Sequence, residues 1–181
     1  EVELAARLIP YNWYNAGNNL IRRDDQVENT YEEKFAYADP ELLEILEIPM
    51  VYGNRSTALT QANTIVISRK KADKYFPNED PTGKIIVLND DKDRSFTVGG
   101  VMEDFLPTSH LQFDFFITLA GKEFWPGEHT NWCLWNYNPY IRLREGTNIV
   151  DFENKLQSLK DVYSNYLIKE KTQTVHDFKK Y

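Results

Sequence analysis

The stretch from Tyr37 to Thr118 leaves the backbone few alternatives, and its most constrained part begins at Thr64. Thr64-Ile-Val-Ile-Ser68 is a short β-branched and apolar run with the composition of a strand. Ser68 then stands where a helix N-cap belongs, and the helix it starts can run only to about Phe76, because Pro77 stops it. Lys71 occupies the position at which a capping box would carry Glu. Asp80-Pro-Thr-Gly83 reads as a turn, with Pro presetting φ at the second position and Gly closing the fourth. Lys84 to Leu88 and Arg94 to Val98 read as strands, joined by a hairpin loop at Asn89 to Asp93. No residue in this series carries chemistry; it is scaffold.

The flanking segments alternate strand and helix signals. Glu1 to Ile9 fits either a helical turn or a strand and is ended by Pro10. Asn15-Ala-Gly-Asn-Asn19, between Tyr11–Tyr14 and Leu20–Arg23, predicts a hairpin, and Tyr31 to Tyr37 predicts a further strand. Asp39 as N-cap, Pro40 at the first helical position and Glu41 in the first turn predict a helix that buries Leu42, Leu43, Ile45 and Leu46 and closes at Pro49. Gly53 to Ala62 is a polar loop. Leu111, Phe113, Phe115 and Ile117 alternate with polar positions, the period of a half-buried strand. Ala120 to Thr130, with Gly121, Pro126 and Gly127, predicts an exposed loop, and Trp132 to Leu143 a long aromatic strand region. A last helix starts near Asn148 and carries Phe152, Leu156, Leu159, Tyr163 and Tyr166 along one face at alternating spacings of four and three. Thr172 to Phe178 predicts a closing strand, which makes a strand–helix–strand unit of the C-terminal third; Tyr11 to Pro49 supplies a comparable half. The class is α+β.

Composition narrows the function. At 181 residues the chain is one domain or two intimate lobes, and 41% hydrophobic with 27% charged residues is ordinary for a globular core. A net charge of −7 argues against nucleic acid as a partner, which needs a basic footprint. Cys133 is the sole cysteine, so no internal disulfide forms, and it reads as a small buried hydrophobe. No apolar run is long enough to cross a bilayer and no signal peptide is visible.

The residues that could carry chemistry do not assemble a catalytic pattern. Ser109, His110 and Asp114 are close in sequence, but on an extended strand Ser109 faces away from the other two, and no nucleophile elbow occurs. His110, His129 and His176 have no mutual ligand spacing, and Asp90, Asp91 and Asp93 lack the Gly and Glu of a calcium loop. Gly99-Gly100 lacks the Lys of a phosphate loop. The prediction is no catalytic residue, no metal and no cofactor. The aromatic loop is the remaining candidate: Phe124 and Trp125, ahead of Pro126-Gly127, are the residues predicted to meet a partner, Trp125 being the exposed one.

Taken in order, Asp39-Pro40, Met50-Val-Tyr-Gly53, Ile67-Ser68 with Lys74-Tyr-Phe76, Asp80-Pro-Thr-Gly-Lys84, Thr97-Val-Gly-Gly-Val101, Ser109-His110 with Phe113-Asp114, Trp132 and Trp135, and Pro139 to Gly146 resemble the MacB-type periplasmic core domain of ABC-transporter permeases. The family is related to the MacB, LolC/LolE and FtsX permeases, and the resemblance spans about Asp39 to Leu156. It implies two lobes: a porter-like lobe of βαβ halves from 1–52 and 118–181, with a mixed β-sheet and packed helices, and an inserted, smaller β-rich, sabre-like lobe at 53–117. It implies a domain without catalysis that transmits ATP-driven motion for export or for lipoprotein, peptide or drug handling. The implied partners are a cytoplasmic ABC ATPase, a second permease copy and a periplasmic adaptor. The implied location is the periplasmic side of an inner membrane, with the membrane helices outside this segment. The rival is a secreted or surface module that uses the aromatic loop to bind a glycan or peptide; a carboxylate hydrolase is a weaker third.

Overall fold

The computed structural model describes residues 1–10, 16–128 and 137–169, with side chains as far as 162. Its elements are β1 (Val2–Ile9), β2 (Gly17–Arg23), β3 (Thr30–Ala38), α1 (Leu42–Ile45), β4 (Met50–Tyr52), β5 (Thr64–Ser68), α2 (Arg69–Tyr75), β6 (Ile85–Leu88), β7 (Asp91–Met102), β8 (Phe115–Thr118), β9 (Asn138–Leu143) and α3 (Ile149–Lys169). The chain divides into two units, one of Leu4–Arg142 and one of Glu1–Glu3 with the chain from Leu143 onward.

The larger unit is organised by a closed ring of strands. β2 pairs β6, β6 pairs β7, β7 pairs β5, β5 pairs β8, β8 pairs β3, and β3 returns to β2, so six strands form a small barrel. The remaining strands attach outside it: β4 on β7, and β1 then β9 beyond β3. Closure depends on β3 serving two neighbours along one edge. Its first part pairs β2, and its end pairs β1 through Leu8 with Ala38 and Ile9 with Tyr37. At the changeover Gly17 faces Phe35 while Asn18 faces Glu33, so Lys34 is an extra residue at φ +68, a bulge that bends the strand.

Period-two side chains sort into two clusters. One face of the strands gathers Ile21, Phe35, Ile65, Phe115 and Ile117 into a single core, in which the Phe35 and Phe115 rings stack at 4.1 Å. α2 adds Ala72, Tyr75 and Phe76 to it. The opposite face, with Ala36, Val66 and Phe116, lies under Leu42 and Leu43 of α1 and under Leu59. Backbone crosses backbone there: a Cβ on Gly99 would stand 1.9 Å from the carbonyl oxygen of Ala58, so only glycine fits.

The mixed α and β content follows the sequence, but several local expectations are corrected. Glu1 to Ile9 resolves as a strand. Asn89 and Asp90 are both left-handed, at φ +56 and +55, and Leu88 pairs Asp91; the connection is therefore a two-residue type I′ turn rather than a five-residue loop, and β7 is correspondingly long. The alternation from Leu111 does not mark a half-buried strand. β8 begins only at Phe115, and all four of its residues are buried because both sheet faces are covered. Asp39 does not cap α1; its carboxylate is taken by Arg7, Glu41 is the N-cap, and the helix is a single turn. Ser68 has N-cap geometry without a capping bond, and Asp104 instead accepts the Lys70 N–H at 3.2 Å. The barrel takes β2 and β3 from 1–52 and β5 to β7 from 53–117, with β8 across 117/118, so its hydrogen bonds join the segments that the resemblance assigns to different lobes. The residues Tyr11–Asn15, His129 to Asn136, including Trp132, Cys133 and Trp135, and Thr172–Phe178 with His176 lie outside the described residues. Among the described residues no helix is long and apolar enough to cross a membrane.

Candidate functional site

The loop that follows β8 carries the two residues singled out by sequence, and it is braced from within. Glu123 Oε1 accepts the N–H groups of Gly127 at 2.8 Å and Glu128 at 3.1 Å, while Glu128 Oε2 accepts the Phe124 N–H at 2.6 Å. Gly121 and Gly127 supply the positive φ values the turns need, +66 and +85. Glu128 is 2% exposed, and its other oxygen accepts the Tyr137 hydroxyl. Tyr137 in turn lies under the Arg7 guanidinium, 5.0 Å from ring centroid to carbon. Arg7 grips Asp39 with two parallel bonds, Nε to Oδ2 at 2.8 Å and Nη2 to Oδ1 at 2.9 Å. That bond raises the Arg7 pKa above its ordinary value against the opposing effect of burial.

Phe124 and Trp125 are placed differently from a pair of exposed aromatics. Phe124 turns inward and meets Tyr37 edge-on at 5.2 Å, packed against the barrel core. Trp125 is half-buried rather than exposed. The brace at Glu123 and Glu128 explains both positions: it fixes the backbone so that Phe124 points to the core.

A second polar constellation sits where α2 meets β3, and sequence reasoning missed it. Glu32 (5% exposed) and Asp114 (6% exposed) are buried carboxylates from different strand regions. Glu32 accepts bonds from Lys71, from Lys74 at 2.7 Å and from the Tyr75 hydroxyl at 2.7 Å. Asp114 takes Lys70 at 2.6 Å and lies 3.9 Å from Lys71. Burial alone would raise the Glu32 pKa, but the three hydrogen bonds outweigh it and leave the carboxyl below its usual range. Burial, then the bond to Glu32, pushes the Tyr75 hydroxyl well above the usual tyrosine range. No local signal could have found this cluster, since Glu32 and Lys71 are 39 residues apart; the Lys at the capping-box position was the one oddity in the sequence.

The remaining predicted site residues are not brought together. Ser109 Oγ accepts the Leu111 N–H at 3.2 Å in a turn, His110 is exposed, and Asp114 is engaged by Lys70 and Lys71. Among the described residues no three metal-ligating side chains converge.

Comparison with known proteins decides the family. The sequence matches the MacB-like periplasmic core domain over residues 2–159, most of its length. The chain belongs to that family. A domain of a protein assigned as a permease from Porphyromonas gingivalis superposes with a TM-score of 0.70 at 27% identity, covering 88% of this chain and 70% of the other. The periplasmic region of MacB from Actinobacillus actinomycetemcomitans superposes with a TM-score of 0.57 over 96% of this chain and 78% of its own length; at 11% identity the likeness is one of fold. No curated protein sequence matched. This member of the MacB-like family keeps the α+β fold, and the family is one of transporter-permease domains.

Proposed function

We propose that this chain is a non-catalytic extracytoplasmic domain of an ABC-transporter permease and passes on motion generated by ATP in the cytoplasm. Beside family membership, the observation that carries this reading lies in the smaller unit. The Glu1 carbonyl accepts the Arg144 N–H at 2.8 Å and the Glu1 carboxylate pairs with Lys155 at 2.7 Å. The start of β1 and the segment after β9 are fastened together, so a displacement applied to either is shared by both. In the larger unit a close-packed barrel interior resists deformation and moves as a body.

The partners in this reading are a cytoplasmic ABC ATPase reached through the full-length permease, a second permease copy, and a periplasmic adaptor. The setting is the periplasmic face of an inner membrane. This reading keeps a porter-like lobe (1–52, 118–181) and an inserted sabre-like lobe (53–117) as its division of the chain. Trp125 is the residue that would meet the adaptor, with Phe124 supporting it from the core side. The handled substrate is a peptide, lipid, lipoprotein or drug.

Two measurements test the reading in the full-length protein. Thr108→Cys, in a full-length background from which every other cysteine has been removed, should react with a membrane-impermeant maleimide in cells whose inner membrane is intact; labelling only after that membrane is broken refutes the location. A flexible Gly-Ser insertion between Glu145 and Gly146 should leave ATP hydrolysis in place and abolish the coupled export or signalling output. Unchanged output refutes force transmission.

A further inference from the structure

Arg94 differs from the other arginines that stand on strands. Arg7, Arg22, Arg23 and Arg142 each meet a carboxylate. Among the described residues no salt bridge reaches Arg94. Its Nη2 is fully buried and has no hydrogen-bond partner. A guanidinium drawn out of water without a counter-ion is destabilising, and a buried donor left unmade adds to the cost.

The backbone is shaped to put it there. Val87 faces Ser95 while Leu88 faces Asp91, so Lys92, Asp93 and Arg94 are looped out of the β6–β7 ladder as a bulge. The bulge is fixed from within: Asp91 Oδ1 accepts the Asp93 N–H at 2.9 Å, and Ser95 Oγ donates to the Lys92 carbonyl at 2.9 Å. Lys92 and Asp93 stay exposed, whereas Arg94 is half-buried and donates to the hydroxyl of Tyr37, a residue 3% exposed. The Tyr37 ring is the one that Phe124 meets edge-on at 5.2 Å. Arg94 is thus a cation held against aromatic side chains, with part of its fork uncommitted.

We propose that Arg94 anchors a binding site for a carboxylate carried on an apolar body, the Tyr37 hydroxyl standing beside the guanidinium. A carboxylate is planar and presents two oxygens, which match the two-pronged edge of a guanidinium, and its single negative charge is what one arginine neutralises. The neighbouring rings of Tyr37 and Phe124 suit an aromatic or aliphatic body. Because Nη2 is covered, the ligand displaces a neighbouring side chain as it enters, a rotamer change of the kind common on binding. The site goes beyond the permease reading and does not depend on it.

Isothermal titration calorimetry of the chain tests it, with sodium benzoate as one probe and a tripeptide ending in phenylalanine, as free acid and as amide, as the other. Sodium chloride and inorganic phosphate at equal ionic strength are the references. A carboxylate probe should bind with a Kd of about 1 mM, and the amide should not. Binding of benzoate would place the source in small free acids, and binding of the free-acid peptide alone would place it in chain ends. Arg94→Lys keeps the charge without the fork and should weaken binding about tenfold. Arg94→Met should abolish binding without lowering the melting temperature, because it replaces an unpaired buried charge by an apolar chain. A fall in that temperature would show that Arg94 is held within its own chain and would overturn the site. Equal binding by Arg94→Met, no carboxylate binding above chloride, or a preference for phosphate would each overturn it as well. The maleimide and insertion tests leave Arg94 untouched, so the two readings stand or fall separately.

Discussion

α1 and α2 are both too short to persist by themselves, yet they are held to the barrel by opposite means. α1 has no capping side chain, and it stays because Leu42 and Leu43 are fully buried on the outer sheet face. α2 also inserts apolar residues, but a helix with Arg69, Lys70, Lys71 and Lys74 on it is seated on the buried carboxylates of Glu32 and Asp114. Burying apolar area stabilises without regard to the charge state of any group. Ion pairs stabilise only while both partners keep their charge, and removing one partner strands the other. The same structural task, docking one turn or two of helix, is therefore independent of charge state in one place and titratable in the other.

Variants can break that contrast in order of size. Glu32→Ala leaves Lys71, with a side chain only 15% exposed, beside no compensating carboxylate except Asp114 at 3.9 Å. It should cost about 4 kcal/mol in urea unfolding, and Glu32→Met with Lys71→Met should recover most of it. Recovery by the pair would show that the seat specifies position more than it adds stability. Leu43→Ala should cost about 3 kcal/mol through the lost transfer energy and the cavity, a loss that the charge screening of dilute sodium chloride leaves unchanged. A Leu43→Ala loss that varied with salt would erase the distinction between the two helices.

The pH dependence sharpens the same comparison. Because the Glu32 pKa is lowered on folding, its contribution is present above the ordinary carboxylate range near about 4.3 and is lost as pH falls through the lower folded value. The Tyr75 pKa is raised, so its contribution is complete below about 10 and is lost as pH rises further. Stability measured against pH should show both arms in the wild type and in Leu43→Ala, and a flattened acid arm in Glu32→Gln. An unchanged acid arm in Glu32→Gln would remove Glu32 from the acid response. The smallest effects lie at the start of α2: Asp104→Ala should cost about 1 kcal/mol as a lost cap, while Ser68→Ala should cost nothing, since its buried hydroxyl has no partner among the described residues.

What the sequence made legible was what local chemistry decides. Thr64 to Ser68 followed by a proline-stopped helix appears where read, because β-branched residues and Pro77 act on their own neighbours; the turn read at Asp80 to Gly83 falls one residue later, the Pro81 carbonyl accepting the Lys84 N–H at 2.9 Å with Gly83 third in the turn at φ +84. Asn148 begins α3 as read, its Oδ1 accepting the Val150 N–H at 3.0 Å. The misreadings involve distant partners. Asp39 is an adequate cap by type, but Arg7, 32 residues away, makes three bonds with its carboxylate, two from the guanidinium and one from the backbone N–H, and wins. Trp125 looked exposed because a Pro-Gly pair follows it, whereas the buried Glu128 that braces its loop depends on Tyr137 and has no sequence signature. β8 was obscured for a related reason: the alternation that usually marks an inside and an outside loses its meaning when both sides are covered. The candidate contact pair was legible as a loop; its inward half was not.

The closed ring has a consequence for the order in which the chain folds. The β6–β7 hairpin can form from local contacts alone, because Asn89 and Asp90 are suited to the left-handed turn that joins its strands. β2 pairs with β6 only after Ile21 has found Leu88, far along the chain, a closure that carries loop entropy the hairpin does not. Refolding should therefore begin at the hairpin, with β2 joining later. A conservative change such as Ile86→Val should slow folding, whereas Ile21→Val should chiefly accelerate unfolding. β2 would then be the strand by which the barrel opens, and stopped-flow chevrons of the two variants would show it; the reverse pattern would place the closing strand elsewhere.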